Sequence, residues 1–117
     1  MKYKYFSPKT DPGIDWDKVD HNALAMLDTA REIAGVPFRV TSNYRTKEQD
    51  IALAGFAGAH TEFPCSAFDI AYEKKNLHRM LKAIFEAGFI RVGLNPKNFH
   101  IHLDMDKTRP HPAFWIE

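Results

Sequence analysis

The chain has 117 residues, of which 44% are hydrophobic and 26% are charged, and its formal net charge is +1. This composition excludes an intrinsically disordered chain, and the length predicts a single domain over residues 1–117. Basic and acidic residues are interleaved, so we expect neither a nucleic-acid partner nor a membrane surface. No segment approaches the ~18 consecutive apolar residues of a membrane span. We therefore expect a globular protein that is a monomer.

The cysteine content and the N-terminal segment restrict the redox chemistry and the expected location. Cys65 is the only cysteine, which excludes an intrachain disulfide framework and a four-thiolate zinc site. Residues 1–16 contain no apolar run of the kind found in signal peptides. We expect synthesis in a cytoplasm without a built-in export route.

The N-terminal third predicts a short strand and a helix. Residues 2–8 alternate in polarity and end at a proline, which indicates an edge strand followed by a loop. Apolar residues then recur at three- and four-residue intervals, as expected for an amphipathic helix. Asp17 or Asp20 is its predicted N-cap, and Gly35 is its predicted end.

The middle of the chain predicts a strand, a short helix and a loop. Residues 38–42 form a β-branched run typical of a strand. Thr46 is placed to cap a helix that ends at Gly55. Residues 55–65 are rich in glycine, alanine and proline, so we expect a loop there.

The C-terminal half predicts three strands and a helix. Residues 66–72 alternate, with small or acidic side chains on one face and large apolar ones on the other. Asn76 and Gly88 bound a third helix, and residues 89–93 and 99–106 are two strands joined by a hairpin-length loop. The resulting fold class is α+β, with a small, mainly antiparallel sheet flanked by about three helices.

Polar side chains interrupt two of these strands in a way that suggests a site. In residues 98–106, "NFHIHLDMD", alternate positions share one face of the strand, and this face carries His100, His102, Asp104 and Asp106. The other face, which we expect to join the core, carries Phe99, Ile101, Leu103 and Met105.

A second strand carries an acid in a similar position. Asp69 lies between two alanines on its own face, and His60 lies in the loop before that strand. Imidazoles and one carboxylate are the ligands of a catalytic zinc site that leaves a position for water. The alternatives are a loop histidine and an aspartate that forms only a salt bridge.

The segment "TSNYRT", residues 41–46, joins a strand to a helix. Arg45 at this junction can reach into a cleft, where its fork of donors suits a carboxylate or a developing oxyanion. The alternative is an ordinary surface arginine near a helix start. Ser42 and Tyr44 belong to the same segment, and we expect them to contribute to substrate binding together with Arg45.

Taken in order, these segments resemble the zinc D-alanyl-D-alanine carboxypeptidase family, peptidoglycan-cleaving metallopeptidases that include small phage endolysins. The family pattern is approximately Ser-x-x-Arg, then Ser-x-His-x-x-Gly-x-Ala-x-Asp, then Gly-Phe-x-Arg-x-Gly, then His-x-Asp. The resemblance covers about residues 38–106. It implies a Hedgehog/D-Ala-D-Ala-peptidase-like fold, a Zn²⁺ cofactor and the stem peptide of peptidoglycan as partner.

Carried over by position, the resemblance implies a role for each candidate residue. The zinc ligands would be His60, Asp69 and His102. Arg45 would bind a substrate oxygen, and Asp104 would accept a proton from a ligand imidazole. The remaining candidate, His100, would act as the general acid/base.

This chain departs from the family pattern at several positions. Asp69 lies nine positions after His60 rather than the seven of the family pattern, so Glu62, seven positions before Asp69, is an alternative ligand. Cys65 stands where a glycine is expected, with a buried thiol as its expected state. The Glu-x-x-His motif that often precedes the last ligand is absent, since position 99 is Phe99. We expect Asp106 to be solvated.

The expected function is zinc-dependent hydrolysis of a stem-peptide bond, as a D-Ala-D-Ala carboxypeptidase or an L-Ala-D-Glu endopeptidase. A phage-type lysis enzyme that acts on the cell wall after release fits this expectation. Neutral histidine ligands predict zinc loss below roughly pH 6. A non-catalytic wall-peptide-binding module is the main alternative. Two other hydrolase classes fit less well. Histidine-triad nucleotide hydrolases need a histidine where this chain has Asp104, and metallo-β-lactamase-like hydrolases need one where it has Met105.

Overall fold

A computed structural model describes residues 2–117 of the chain. Its elements in chain order are α1 (His21–Ala34), β1 (Arg39–Ser42), α2 (Lys47–Ala54), β2 (Phe68–Ala71), α3 (Leu77–Glu86), β3 (Arg91–Asn95), β4 (His100–Asp104) and β5 (Ala113–Ile116). Two three-residue 3₁₀ helices, Ala59–Thr61 and Lys74–Asn76, precede β2 and α3. No helix within residues 2–117 has the length and apolar character that crossing a bilayer requires.

The strands form one sheet in the order β1-β2-β4-β3-β5. Neighbouring strands are antiparallel except for β3 and β5, which are parallel. This arrangement confirms the predicted α+β class with a small, mainly antiparallel sheet and three α-helices.

One face of the sheet packs against α1 and α3. Alternation along the strands puts large apolar side chains on this face, as predicted for residues 66–72. The core cluster joins strand residues to helix residues, among them Val40, Phe68, Ile70, Val92, Ile101 and Leu103 from the sheet and Leu24, Leu27, Met80 and Ile84 from the helices. The opposite face is therefore left for polar side chains.

Local sequence signals set the ends of the first two helices. Asp20, rather than Asp17, caps α1, because its carboxylate accepts hydrogen bonds from two backbone N–H groups of the first turn. Thr46 and Gln49 form a reciprocal capping box at the start of α2. Gly35 and Gly55 follow the two helices with φ of 70° and 84°, a left-handed conformation that favours glycine.

The strand predicted at the N-terminal end of the chain is absent, and β4 is shorter than the strand predicted over residues 99–106. Residues 2–8 form no strand, because the backbone N–H groups of Lys4 and Tyr5 both donate to the Asp28 carboxylate at 2.9 Å. β4 begins only at His100, because Phe99 lies in the preceding turn with φ of 56° and is 41% exposed. Phe99 therefore does not join the core.

β5 was not predicted at all. Its four residues follow the proline-containing loop 105–112 and pair in parallel with β3, with Gly93 opposite Trp115. This strand brings the C-terminal segment beside the polar face of the sheet.

Candidate metal centre

A single row of residues crosses the polar face of all five strands. Residues that pair directly across neighbouring strands point to the same face of a sheet. The strand registers place five such residues side by side, Ser42, Asp69, His102, Gly93 and Trp115. Asp69 and His102 are therefore brought together by sheet register alone.

His60 completes a group of three side chains around the centre of this row. It comes from the short 3₁₀ helix before β2 and is buried. Its Nε2 lies 3.2 Å from Asp69 Oδ1 and 3.3 Å from His102 Nδ1, and His102 Nδ1 lies 3.2 Å from the same carboxylate oxygen. These three atoms form a nearly equilateral triangle, and the group can hold a metal ion.

In each imidazole, the ring nitrogen that points away from Asp69 forms a hydrogen bond that sets the orientation of the ring. His60 Nδ1 donates to the backbone carbonyl of Asn43, and His102 Nε2 donates to Asp104 Oδ2 at 2.6 Å. When both rings are neutral, His60 Nε2 and His102 Nδ1 therefore carry no proton and present lone pairs towards Asp69. A cation has to lie among three such acceptors if they are to stay this close.

The size of the triangle fits zinc. Zinc binds imidazole and carboxylate at about 2.0–2.1 Å, which makes the edge of its coordination tetrahedron about 3.3–3.4 Å. The observed edges are 3.2–3.3 Å. Two imidazoles and one carboxylate are also a donor set of catalytic zinc sites, with a fourth position on the open side.

The electrostatics of the group show how a proton competes for the same place. Burial opposes ionisation of Asp69, but hydrogen bonds from His102 and His60 hold its pKa well below the ordinary value. Burial would likewise lower the pKa of His102, yet its hydrogen bonds to Asp104 and Asp69 raise that pKa to about 9. A metal ion bound at this triangle would therefore have to displace that proton from His102.

Asp104 lies behind His102, where the sequence predicted it. Its side chain is fully buried and also pairs with Arg91, whose Nε lies 3.0 Å from Asp104 Oδ1. Burial raises the pKa of Asp104, but the hydrogen bond and charge of His102, the backbone N–H of Asp106 and the charge of Arg91 together outweigh burial and leave the pKa lowered. Arg91 was not assigned a role from the sequence, although its position opposite Asp104 follows from the β3–β4 register.

Arg45 lies beside the metal-binding group and is fixed at two of its nitrogens. Nε donates to Asp50 Oδ1 at 2.9 Å, and Nη1 donates to Ser42 Oγ at 2.7 Å and lies 3.6 Å from Asp69 Oδ2. Asp50, which was not predicted, is buried and also accepts from the backbone N–H of Gly58 at 2.6 Å. The guanidinium is therefore held rigidly at the edge of the group.

The group opens into a cleft of about 600 Å³. Arg45 and His100 line this cleft, whereas Ser42 and Tyr44 do not. Ser42 instead orients Arg45, and Tyr44 packs against a small buried cluster that includes Cys65. His100 is half-buried, lies two residues before His102 on the same face, and is not part of the metal-binding group.

The long connection between His60 and Asp69 is held at Cys65, directly after its exposed residues 62–64. The backbone N–H of Cys65 donates to Lys18 at 2.8 Å, and the carbonyl of Cys65 accepts from Asp20 at 2.7 Å. The residues just before Cys65, 62–64, are exposed. Glu62 is exposed there and pairs with Arg109, so it is not in the metal-binding group.

Two residues behave differently from their sequence-based predictions or were overlooked. Asp106 is not solvated: it is buried and accepts from Thr108 and from Arg109 Nε, the latter at 2.8 Å. Arg109 lines the cleft and reaches the Ala57 carbonyl at 3.5 Å, which ties the loop after β4 to the loop that carries His60. Cys65 is a buried thiol, as expected, and burial raises its pKa to about 12.

Fold and site together define a small α+β protein with a buried His–Asp–His group that can hold one metal ion at a cleft. A family model described as Peptidase M15 matches residues 6–104. The chain therefore belongs to the M15 peptidases, a metallopeptidase family of the zinc D-Ala-D-Ala carboxypeptidase type. No curated protein and no solved structure matches the chain significantly. The family match gives no support to the histidine-triad alternative, and it ends before Arg109 and β5.

Proposed function

We propose that this protein is a zinc-dependent peptidase that hydrolyses a peptide bond in the stem peptides of peptidoglycan. The observation that carries the proposal is the triangle of three acceptor atoms in His60, Asp69 and His102, which faces a cleft beside a fixed arginine. The M15 family membership supports peptide hydrolysis as the reaction. Zn²⁺ bound at this triangle would supply a Lewis acid and a water that ionises near neutral pH.

Arg45 is the residue best placed to stabilise the charge that develops on the substrate oxygen. Asp50 and Ser42 hold its Nε and Nη1, so the orientation of the guanidinium is set before substrate binds. A fixed donor near a developing oxyanion stabilises the transition state without reorganisation. The same guanidinium can bind a substrate carboxylate, which a carboxypeptidase requires and an endopeptidase does not.

His100 is the proposed proton carrier for the leaving amine. It lines the cleft and lies two residues before His102 on β4, a separation of about 6.8 Å along the strand. No side chain or backbone group of residues 2–117 forms a hydrogen bond with its ring, so both ring nitrogens can serve the substrate. A general acid/base of this kind contributes about 10²–10⁴-fold to the rate.

The test combines metal analysis with product analysis. The purified protein is assayed for zinc and incubated with soluble stem peptides, with and without chelator, and the products are identified by mass spectrometry. We expect one zinc per chain and cleavage at one bond that chelator abolishes. Cleavage that persists in excess chelator would rule out the proposal.

Three histidine variants separate the roles. His102→Ala should lose zinc and activity, whereas His100→Ala should keep zinc and lose about 10²-fold or more in kcat. His78→Ala, an exposed position on α3, is the matched control and should behave like the wild type. If His100→Ala retains nearly full turnover, His100 has no part in proton transfer. Zinc binding without cleavage of any stem peptide would favour the wall-peptide-binding module.

The biological setting belongs to the same proposal. A monomer made in the cytoplasm would reach the wall only after the membrane is opened, as phage lysis enzymes do. Expression in a bacterium should then leave cells intact until the membrane is permeabilised, after which the culture should clear. Clearing that does not depend on an intact His102 would contradict this role.

A further inference from the structure

Trp115 lies in the same row as the metal-binding group, at the β5 end of the sheet. It pairs with Gly93 on β3, which in turn pairs with His102 on β4. A Cβ atom added to Gly93 would lie only 2.5–2.7 Å from three atoms of the indole. The ring therefore lies directly on the Gly93 backbone, and only glycine permits this placement.

The indole ring forms the wall of the cleft next to the metal-binding group. Its centroid lies 5.6 Å from that of the His102 ring, and both residues line the cleft together with Arg45. The guanidinium carbon of Arg91 lies 5.0 Å from the indole centroid, and Arg91 is itself held by Asp104 and by the Pro110 carbonyl. The ring therefore packs against both the Gly93 backbone and the Arg91 guanidinium.

The indole N–H is available to a ligand. Trp16, the other tryptophan, donates its Nε1–H to the Asp11 carbonyl at 3.3 Å. Trp115 Nε1 has no acceptor within residues 2–117, and no side-chain nitrogen sealed from solvent lacks a partner in that part of the chain. The Trp115 Nε1 therefore keeps contact with solvent, in a side chain that lines the cleft and whose ring centroid lies 5.6 Å from that of His102.

We propose that Trp115 determines substrate specificity by contacting the residue adjacent to the scissile bond, an inference that rests on the function proposed above. A substrate carbonyl placed at His102 puts the neighbouring residue against the indole. A methyl side chain makes van der Waals contact there, whereas a larger one has to displace a ring that Gly93 and Arg91 hold in place. The indole N–H donates a hydrogen bond to a backbone carbonyl of the same substrate. The subsite therefore selects alanine, the small residue of the stem peptide.

The test compares matched peptides that carry alanine or leucine at the residue on either side of the scissile bond. The zinc-loaded wild type should prefer alanine by about 10–100-fold in kcat/KM at one of the two positions. Trp115→Ala should reduce this preference to about threefold or less. Trp115→Phe keeps a ring but lacks the N–H, so it should retain the preference and raise KM by about three- to tenfold.

The alanine-to-leucine ratio does not depend on how much of a variant is folded, and the zinc content of each variant is measured in parallel. A Trp115→Ala enzyme with the wild-type ratio would overturn the inference. The same conclusion would follow if Trp115→Phe and Trp115→Ala had identical ratios below that of the wild type, because the ring would then contribute nothing to size selection.

A binding experiment keeps the inference separate from the proposed reaction. In Trp16→Phe, Trp115 is the only tryptophan, so its emission reports on the cleft. Titration of the zinc-loaded protein with an alanine-containing stem peptide should give a saturable change that the leucine analogue does not give. If the wild type cleaves nothing but this change is observed, the proposed reaction fails while the subsite stands. If no peptide changes the emission, the subsite fails.

Discussion

Replacing Asp104 with asparagine would test how the residues behind the metal-binding group control it. Asp104 is fully buried and accepts hydrogen bonds from His102 Nε2 at 2.6 Å, Arg91 Nε and the backbone N–H of Asp106. Asparagine keeps the shape but removes the charge and can present an NH₂ group to His102. The imidazole then either loses its acceptor or moves its proton to Nδ1, the nitrogen that faces Asp69.

The expected loss of zinc affinity is about 10–100-fold, or about 1.4–2.7 kcal/mol, as for other residues that orient a ligand imidazole. Removing the carboxylate also leaves Arg91, whose side chain is 13% exposed, without its charged partner. Breaking a buried pair on one side costs about 3–5 kcal/mol. We expect about 3 kcal/mol here, because Arg91 keeps its hydrogen bond to the Pro110 carbonyl.

The effect of pH on this variant has a definite sign. Asp104 is one cause of the raised pKa of His102, so the variant lowers that pKa and weakens proton competition at neutral pH. The affinity deficit of Asp104→Asn should therefore be largest near pH 9, where the wild-type site is no longer protonated, and smaller at pH 7.

The assay is competition with a chromogenic chelator at pH 7 and pH 9, together with thermal unfolding of the metal-free protein. Asp28→Asn is the control: its carboxylate accepts two backbone N–H groups far from the site, so it should lose stability and keep its zinc affinity. An Asp104→Asn protein that binds zinc within twofold of the wild type at pH 9 would refute the reasoning.

Four further outcomes are expected. Because the pKa of His102 is about 9 in the metal-free protein, zinc binding should release one proton and weaken about tenfold per pH unit below pH 9, measured by calorimetry in buffers of different ionisation enthalpy. The same raised pKa stabilises the metal-free protein fully below about pH 6.5, and this stabilisation should be lost as the pH rises through 9, measured by thermal unfolding. Arg109→Gln should accelerate proteolysis in the loop before β2 and weaken zinc binding by at most about fivefold, because the ion pairs of Arg109 are partly exposed, whereas Lys107→Gln at an exposed position should do neither. Cys65→Ser should keep one zinc per chain, and the wild-type thiol should react with a disulfide reagent only on unfolding; zinc loss in this variant would make Cys65 a ligand.

Much of the polar face could be predicted because strand alternation is a local property. His102 and Asp104 were assigned to one face from their spacing, and Asp69 was recognised by its small neighbours. Their distances to one another were not predictable, since these depend on the β2–β4 register. The pH 6 threshold for zinc loss was also derived from an ordinary imidazole, and it overlooks the two carboxylates that flank His102.

The remaining parts of the site depend on contacts that leave no pattern in the sequence. The acceptor for His60 is the backbone carbonyl of Asn43, and any residue type supplies such a group. Asp106 was expected to be solvated because alternation says nothing about a loop in which the chain folds back on itself. β5 is too short for a reliable periodicity, and its pairing with β3 arises only after that loop has closed.

Because the metal-binding residues lie in one row across the sheet, the site forms only when the strands pair in their native register. If β4 slipped by one residue, Ile101 or Leu103 would face the cleft and His102 would enter the apolar layer. Only the native pairing with β2 sets His102 beside Asp69, so an ion bound between them favours that pairing over every shifted one. Zinc would then act during folding as well as in the folded protein, because it would stabilise only the alignment of strands in which the site exists.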